Sequence, residues 1–327
     1  MNISPVTRPY FSRDPGREKF WILACWLVTA LSALILILAW PQTRSTVFIQ
    51  TLVGWSSTPV EYFFRGFTFL GDDQFFMIFF SVLLWCVSKT LGFWSAFMLL
   101  TSATYSNLIK DLTMLERPPI EGVIHPAGSY AFPSGHTLTA VTVWGYIAAR
   151  LNKKVYWIWF FVAVVLIGFS RLTLGYHFLG DVIGGLAFGI PFLLFFLWSS
   201  SVIYEKGLAE KLAAPVLITA AIIIPLILVT VLPGADPPKI LGYLSGISVG
   251  YVLERQKVRA RTSAPFVKQV LKSLLGLAVL FGIIIGLGGL LPSAVTYLGF
   301  IRYALGGLWA TLGAPALFVA LKLSGRE

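Results

Sequence analysis

The sequence predicts an all-α, polytopic membrane protein, and three observations carry the prediction. Hydrophobic residues make up 57% of the 327 while charged residues make up only 12%, too few to clothe a soluble domain of this length. Apolar runs near or above the ~20 residues that span a bilayer recur along the whole chain. The 25 Lys+Arg are shared unequally between alternate connecting loops, as expected where basic loops stay on the cytoplasmic face.

The expected spans are residues 20–40, 75–88, 91–109, 137–151, 155–172, 182–204, 212–232, 240–253, 270–291 and 295–321. That makes ten, or nine if one of the shorter runs at 75–88, 137–151 or 240–253 does not cross. The first run is too long for the apolar stretch of a signal peptide, and no small-residue cleavage site follows it, so it is expected to remain as the first helix. With the N-terminus inside, 18 of the 25 Lys+Arg fall on one side, including Arg8, Arg13, Arg17, Lys19 and Lys211. The other side receives seven, Arg44, Arg65, Lys110, Arg117, Arg171, Lys239 and Arg302. Both termini are then cytoplasmic. The basic run 255–272 serves as a topology anchor near anionic headgroups. The net charge of +11 is thereby explained without a nucleic-acid partner.

The two cysteines, Cys25 and Cys86, each sit in an apolar run, which excludes a disulfide framework and a Cys-based metal site. Glycines at Gly185 and Gly189, at Gly242, Gly246 and Gly250, and at Gly282 and Gly286 share helix faces. They let another helix approach closely, within the chain in preference to across a dimer interface, though a homodimer stays open. The outer loop 41–73 carries Trp55, Tyr62, Phe63, Phe64 and Phe67; it is expected to anchor in the headgroup zone or to line a lipid access route.

Against this apolar background, three short segments stand out: Lys110-x₆-Arg117-Pro118, Pro133-Ser134-Gly135-His136, and Ser170-Arg171-x₅-His177-x₃-Asp181. All three fall on the side opposite the basic loops. Charge near membrane depth is costly and is kept where it does something. Pro133 and Ser134 read as a helix start, with glycine allowing close backbone approach. Free N–H groups there, aided by the dipole, suit phosphate oxygens. His177 and Asp181 are four apart, so on a helix they share a face. A carboxylate on one ring nitrogen would leave the other free to attack. A structural His–Asp pair is the plainer alternative. Any single one of Lys110, Arg117 and Arg171 is accounted for as a snorkelling cation. Three on the depleted side are better explained as a cradle for a phosphate and its transition state.

These segments resemble the signature of the type 2 phosphatidic acid phosphatase (PAP2) superfamily, with every signature position filled. The resemblance implies a six-helix catalytic membrane core over residues 1–204, followed by about four accessory transmembrane helices in residues 205–327. It implies a metal-independent lipid phosphate phosphatase in which His177 is the nucleophile, Asp181 orients it and His136 protonates the leaving alkoxide. Lys110, Arg117, Ser134, Gly135 and Arg171 would hold the phosphate. No cofactor is implied, and no carboxylate cluster in the sequence suits magnesium. The short linker between the first two segments, the extra C-terminal spans and the stretch Phe69-Leu70-Gly71-Asp72 are similar to the sphingosine-1-phosphate phosphatase branch. A bacterial phosphatase for phosphatidylglycerol phosphate or a polyprenyl (pyro)phosphate is the other reading. Two rivals stay open: a lipid phosphotransferase using the same phosphohistidine, and a non-catalytic lipid transporter or scramblase on this core. His125 is given no chemistry. Ile120, Val123, Tyr130 and Phe132 of the adjoining loop are expected to meet the lipid chain. The site is expected on the periplasmic, extracellular or lumenal face.

Overall fold

The computed structural model describes residues 15–125, 129–207, 212–232, 234, 236–293 and 295–327, with side chains from Ile22 onward apart from residues 204 and 205. The side chains of Arg8, Arg13, Arg17, Lys19 and Lys211, placed above on the basic side, lie outside this description. Regular structure among the described residues is helical, apart from one isolated bridge between Ala260 and Arg326.

Among the described residues, five helices are long and apolar enough to cross a membrane: Lys154–Thr173, Leu179–Ile203, Ala214–Val231, Phe266–Gly286 and Thr296–Ala320. Two bent pairs bring the number to seven if each is one span: Ile22–Leu38 with Trp40–Gly54, bent by 99°, and Thr58–Phe69 with Asp73–Val87, bent by 52°. This is fewer than the ten, or nine, expected from apolar runs. The Lys89–Thr113 helix is diluted by serine, threonine, glycine and asparagine and carries Lys110 and Asp111 near its end. The expected span 137–151 lies in consecutive helical segments of 5, 5 and 7 residues starting at Gly135. At 1.5 Å per residue these fall short of the ~30 Å hydrocarbon core. Asp236–Leu253 opens with Asp236, two prolines and Lys239.

The described chain divides into two compact units. One comprises residues 15–75 and Tyr105–Lys206, the other Phe76–Thr104 and Gly207–Glu327. Residues 76–104 thus group with the C-terminal part, whereas the sequence reading placed them in a 1–204 core.

In the first unit, helices 135–151 and Leu179–Glu205 pack backbone to backbone. A Cβ on Gly185 would lie 2.7 Å from Thr137 Cβ, a separation that only glycine permits. Phe64 of Thr58–Phe69 packs at a tilt against Phe169 of Lys154–Thr173, ring centres 5.4 Å apart. Ile49, Ile120, Leu172 and Phe178 form a buried cluster, with Val123 packed against it. Phe132 is buried between Trp40 and Phe188. Ile120, Val123 and Phe132 therefore hold the loop in place, which corrects the expectation that they meet a lipid chain. Trp55 and Tyr62 remain 79% and 71% exposed, as membrane-interface residues would be.

In the second unit, Asp236–Leu253 lies against Thr296–Leu308. A Cβ on Gly246 would clash with the Ala304 carbonyl, and one on Gly242 with that of Phe300. These glycines serve packing within the chain, as expected. No neighbour lies within 4 Å of the Cβ positions of Gly282 and Gly286.

Candidate active site

The three sequence segments converge within the first unit. Pro133 follows a cis peptide bond, and Ser134 caps the next helix, its Oγ accepting from Thr137 N at 3.5 Å. Ser134 N donates to the Asp181 carbonyl at 2.9 Å, which joins the second segment to the third. The first segment is tied in by Thr113 Oγ1 donating to the Phe132 carbonyl at 3.1 Å and by Ala131 N donating to that of Leu115 at 2.7 Å.

His177 lies in the turn before Leu179–Glu205, not on a helix, and Asp181 occupies that helix's first turn. The two still meet: His177 Nδ1 is 3.4 Å from Asp181 Oδ2, with side-chain exposures of 2% and 0%. The same oxygen accepts from Phe178 N at 2.8 Å. The other ring nitrogen, Nε2, faces Arg117 Nη1 at 3.2 Å. Arg117 is itself fixed by Nε on Ser129 and by Nη1 on the Tyr176 carbonyl at 3.0 Å.

Arg171 is buried; its Nη1 donates to Thr68 Oγ1 at 2.5 Å and its guanidinium lies 4.4 Å from the Tyr176 ring centre. Its Nε has no partner among the described residues, and neither has the buried Ser106 Oγ. Lys110 is placed by Gly135, where an added Cβ would lie 3.5 Å from Lys110 Nζ and 3.7 Å from Ser106 Oγ. Glycine at 135 thus keeps a side chain from crowding that ammonium.

Burial, reinforced by the positive charges of Arg117, Arg171 and Lys110 and by His136, holds His177 well below the usual imidazole range. It is therefore neutral near pH 7, the form a nucleophile needs. His136 is also lowered, by desolvation and then by Arg171, with Asp72 opposing and Lys110 adding to the lowering. His125 sits apart from this chemistry, its Nε2 3.1 Å from the Pro118 carbonyl.

Two partners escaped the sequence reading. Arg44 Nη1 pairs with Asp181 Oδ1 at 2.8 Å and its Nη2 donates to the Glu116 carbonyl at 2.6 Å. Asp72 Oδ1 is 2.8 Å from His136 Nε2. Both belong to the 41–73 loop, expected to anchor in the headgroup zone or to line a lipid access route. For Asp72 the signal was the Phe69–Asp72 stretch already noted as family-like; for Arg44 there was none beyond its position on the depleted side.

Residues 91–206 match the PAP2 superfamily, and residues 238–326 match the transmembrane extension of PAP2 superfamily phosphatases. Phosphatidylglycerophosphatase B of Bacillus subtilis (strain 168) is 32% identical over 163 residues, covering 45% of this chain and 74% of that protein. Lipid phosphate phosphatase delta of Arabidopsis thaliana is 27% identical over 158 residues, 42% of this chain and 38% of that protein. A crystal structure of a PAP2-type phosphatidylglycerolphosphate phosphatase from Bacillus subtilis aligns with TM-score 0.45 at 23% identity, over 58% of this chain and 96% of that one. The chain belongs to the PAP2 superfamily. It is an integral membrane phosphatase of the lipid-phosphatase kind.

Proposed function

We propose that this chain hydrolyses the phosphomonoester, or pyrophosphate, of a membrane lipid through a phosphohistidine on His177. The observation that carries the reading is the single buried imidazole held between a carboxylate and a guanidinium, Asp181 on Nδ1 and Arg117 at Nε2. Asp181 fixes the ring and stabilises the cation that forms on it. Nε2 then attacks phosphorus in line. The P–O bond to the lipid breaks, and His136 delivers a proton to the departing oxygen. In the second step water attacks phosphorus, gives a proton to His136 and breaks the P–N bond.

Arg117, Arg171, Lys110, Ser134 and the Gly135 backbone receive the phosphate oxygens. A bound phosphate would take over the Arg117 N–H that now faces Nε2, freeing the nucleophile. Its negative charge would also raise His136 from the depressed value set by burial and Arg171, bringing it into range as a proton donor. Residues 1–204 act as the catalytic core and 205–327 as an accessory membrane domain, a division supported by matches to two separate family regions, 91–206 and 238–326. The site faces away from the cytoplasm and both termini face it, an orientation that needs an even number of spans, six among the five to seven the helices allow; the uneven Lys+Arg distribution over the expected spans supports it.

The test is phosphate release by the purified protein from a panel of lipid phosphates, with EDTA present and with alcohol acceptors added in a parallel series. Phosphate release that survives EDTA and disappears in His177→Ala is expected. Phosphorylated alcohol in place of free phosphate would make the chain a transferase. Full turnover by His177→Ala would sink the assignment.

A further inference from the structure

The turn that follows Thr58–Phe69 brings an unassigned carboxylate to the second histidine. Leu70 N, Gly71 N and Asp72 N donate to the carbonyls of Phe67, Thr68 and Phe69 at 3.1, 2.9 and 3.0 Å. This tight turn fixes Asp72, whose Oδ1 meets His136 Nε2 at 2.8 Å. Gly71 lies flat against the ring, where a Cβ would stand 2.7 Å from His136 Cδ2; any larger residue would push the imidazole away. One turn earlier, Thr68 accepts the Arg171 hydrogen bond. The same few residues therefore orient both a phosphate-binding guanidinium and the proton donor.

We infer that Asp72 is the positioning residue of the proton donor: it holds His136 by Nε2 and so assigns delivery of the proton to Nδ1. The arrangement repeats that of His177 with the nitrogens exchanged. There Asp181 takes Nδ1 and leaves Nε2 for phosphorus. Here Asp72 takes Nε2 and leaves Nδ1 for the lipid oxygen. When the P–O bond breaks, the Nδ1 proton moves to the alkoxide and His136 becomes neutral, its Nε2–H still on Asp72. The attacking water later returns a proton to Nδ1. The charged groups bearing on His136 are Arg171 from Lys154–Thr173, Lys110 from Lys89–Thr113 and Asp72 from the turn, and the neutral His177 is the other titratable neighbour. Asp72 is the anion among them, so it favours the protonated ring against two cations that oppose it.

The inference rests on the hydrolase reading, and the experiment separates the two. Asp72→Asn keeps the shape and removes the charge. In the full-length protein, kcat on an alkyl lipid phosphate should fall ~10²-fold, the scale of general acid catalysis. On 4-nitrophenyl phosphate, whose leaving group needs no proton, it should change only a few-fold. The basic limb of the kcat profile should also move to lower pH by ~1 unit or more. An equal loss on both substrates would make Asp72 merely structural, and an unchanged rate on the alkyl substrate would overturn the role. Should the unaltered protein release phosphate from neither substrate, the hydrolase reading fails by itself. The pairing is then decided by ¹⁵N-histidine titration, assigned with His125 and His177 variants. The His136 pKa is expected to drop by ~1 unit or more in Asp72→Asn, and an identical titration overturns the pairing.

Discussion

Both compact units bury charge, and they handle it differently. In the second, Lys272 is fully buried, and Nζ donates to the carbonyls of Trp85 and Thr262 at 2.9 Å each and to Ser324 Oγ at 3.4 Å. Three acceptors use up its three donors. Glu254 Oε1 accepts from Lys89 Nζ at 3.2 Å and from Ala260 N at 2.8 Å. These are ties between backbone segments. In the first unit His177, Asp181, Arg117, Arg171 and His136 bear on one another, and the Arg171 Nε keeps an unspent donor. A buried charge therefore does not by itself mark chemistry. Cations set around an imidazole, with donors left over, are what do so here.

The largest effect that could break this comparison comes from the proposed nucleophile. His177→Ala should lower turnover ~10⁴-fold or more with an unchanged thermal midpoint, read by phosphate release and a detergent melt in parallel. Arg44→Ala comes next. It leaves the fully buried Asp181 carboxylate without its ion-pair partner and should cost about 3–5 kcal/mol of stability together with a large fall in kcat. Arg44→Lys should recover part of the stability, since the charge returns without the fork that also reaches the Glu116 carbonyl. Lys272→Met tests the other unit: two buried carbonyls lose a donor, so stability should fall by about 1–3 kcal/mol while kcat per folded molecule stays unchanged. A fall in kcat at constant stability would erase the distinction between the units.

The smallest effect is a shift along the pH axis. The proposed attack needs a neutral His177, whose protonation is disfavoured by burial and then by Arg117. The acid limb of kcat/KM should therefore lie below the ordinary imidazole value of ~6.5, with activity retained down to that pH and lost only on further acidification. Arg117→Gln removes a positive charge, so protonation becomes easier and the acid limb should move to higher pH. Movement in the opposite direction would show that the limb belongs to another group.

Much of this was legible in the sequence because the apolar runs end at charged or helix-breaking residues. The run expected at 155–172 is the helix Lys154–Thr173, and that expected at 295–321 lies in Thr296–Ala320. The number of spans was not legible. Apolar composition does not reveal that the chain turns by 99° between Leu38 and Trp40, nor that the segment from Gly135 is too short to cross. The pairing of His177 with Asp181 was expected on a helical face, and it forms with the histidine two residues before the helix begins. Arg44 and Asp72 stayed hidden because each is a lone polar residue in an aromatic stretch, brought to its partner by tertiary folding and not by spacing. Ile120 and Phe132 were misjudged because a loop beside a lipid-phosphate site looks apolar for the lipid's sake, when the apolar residues are holding the loop down.

The Arg44–Asp181 pair joins positions 137 residues apart in the chain, and that span has a consequence for biogenesis. During synthesis the guanidinium is made long before the carboxylate it will neutralise. Asp181 therefore arrives at the bilayer as an orphan anion at the head of a hydrophobic helix, a burdensome cargo for insertion. Closing so long a loop adds its own entropic toll, which grows only as the logarithm of its length. The His177–Asp181 pair is complete only once the early segment bearing Arg44 meets the late helix, so on the proposed mechanism newly inserted chains pass through a stage that is embedded yet inert.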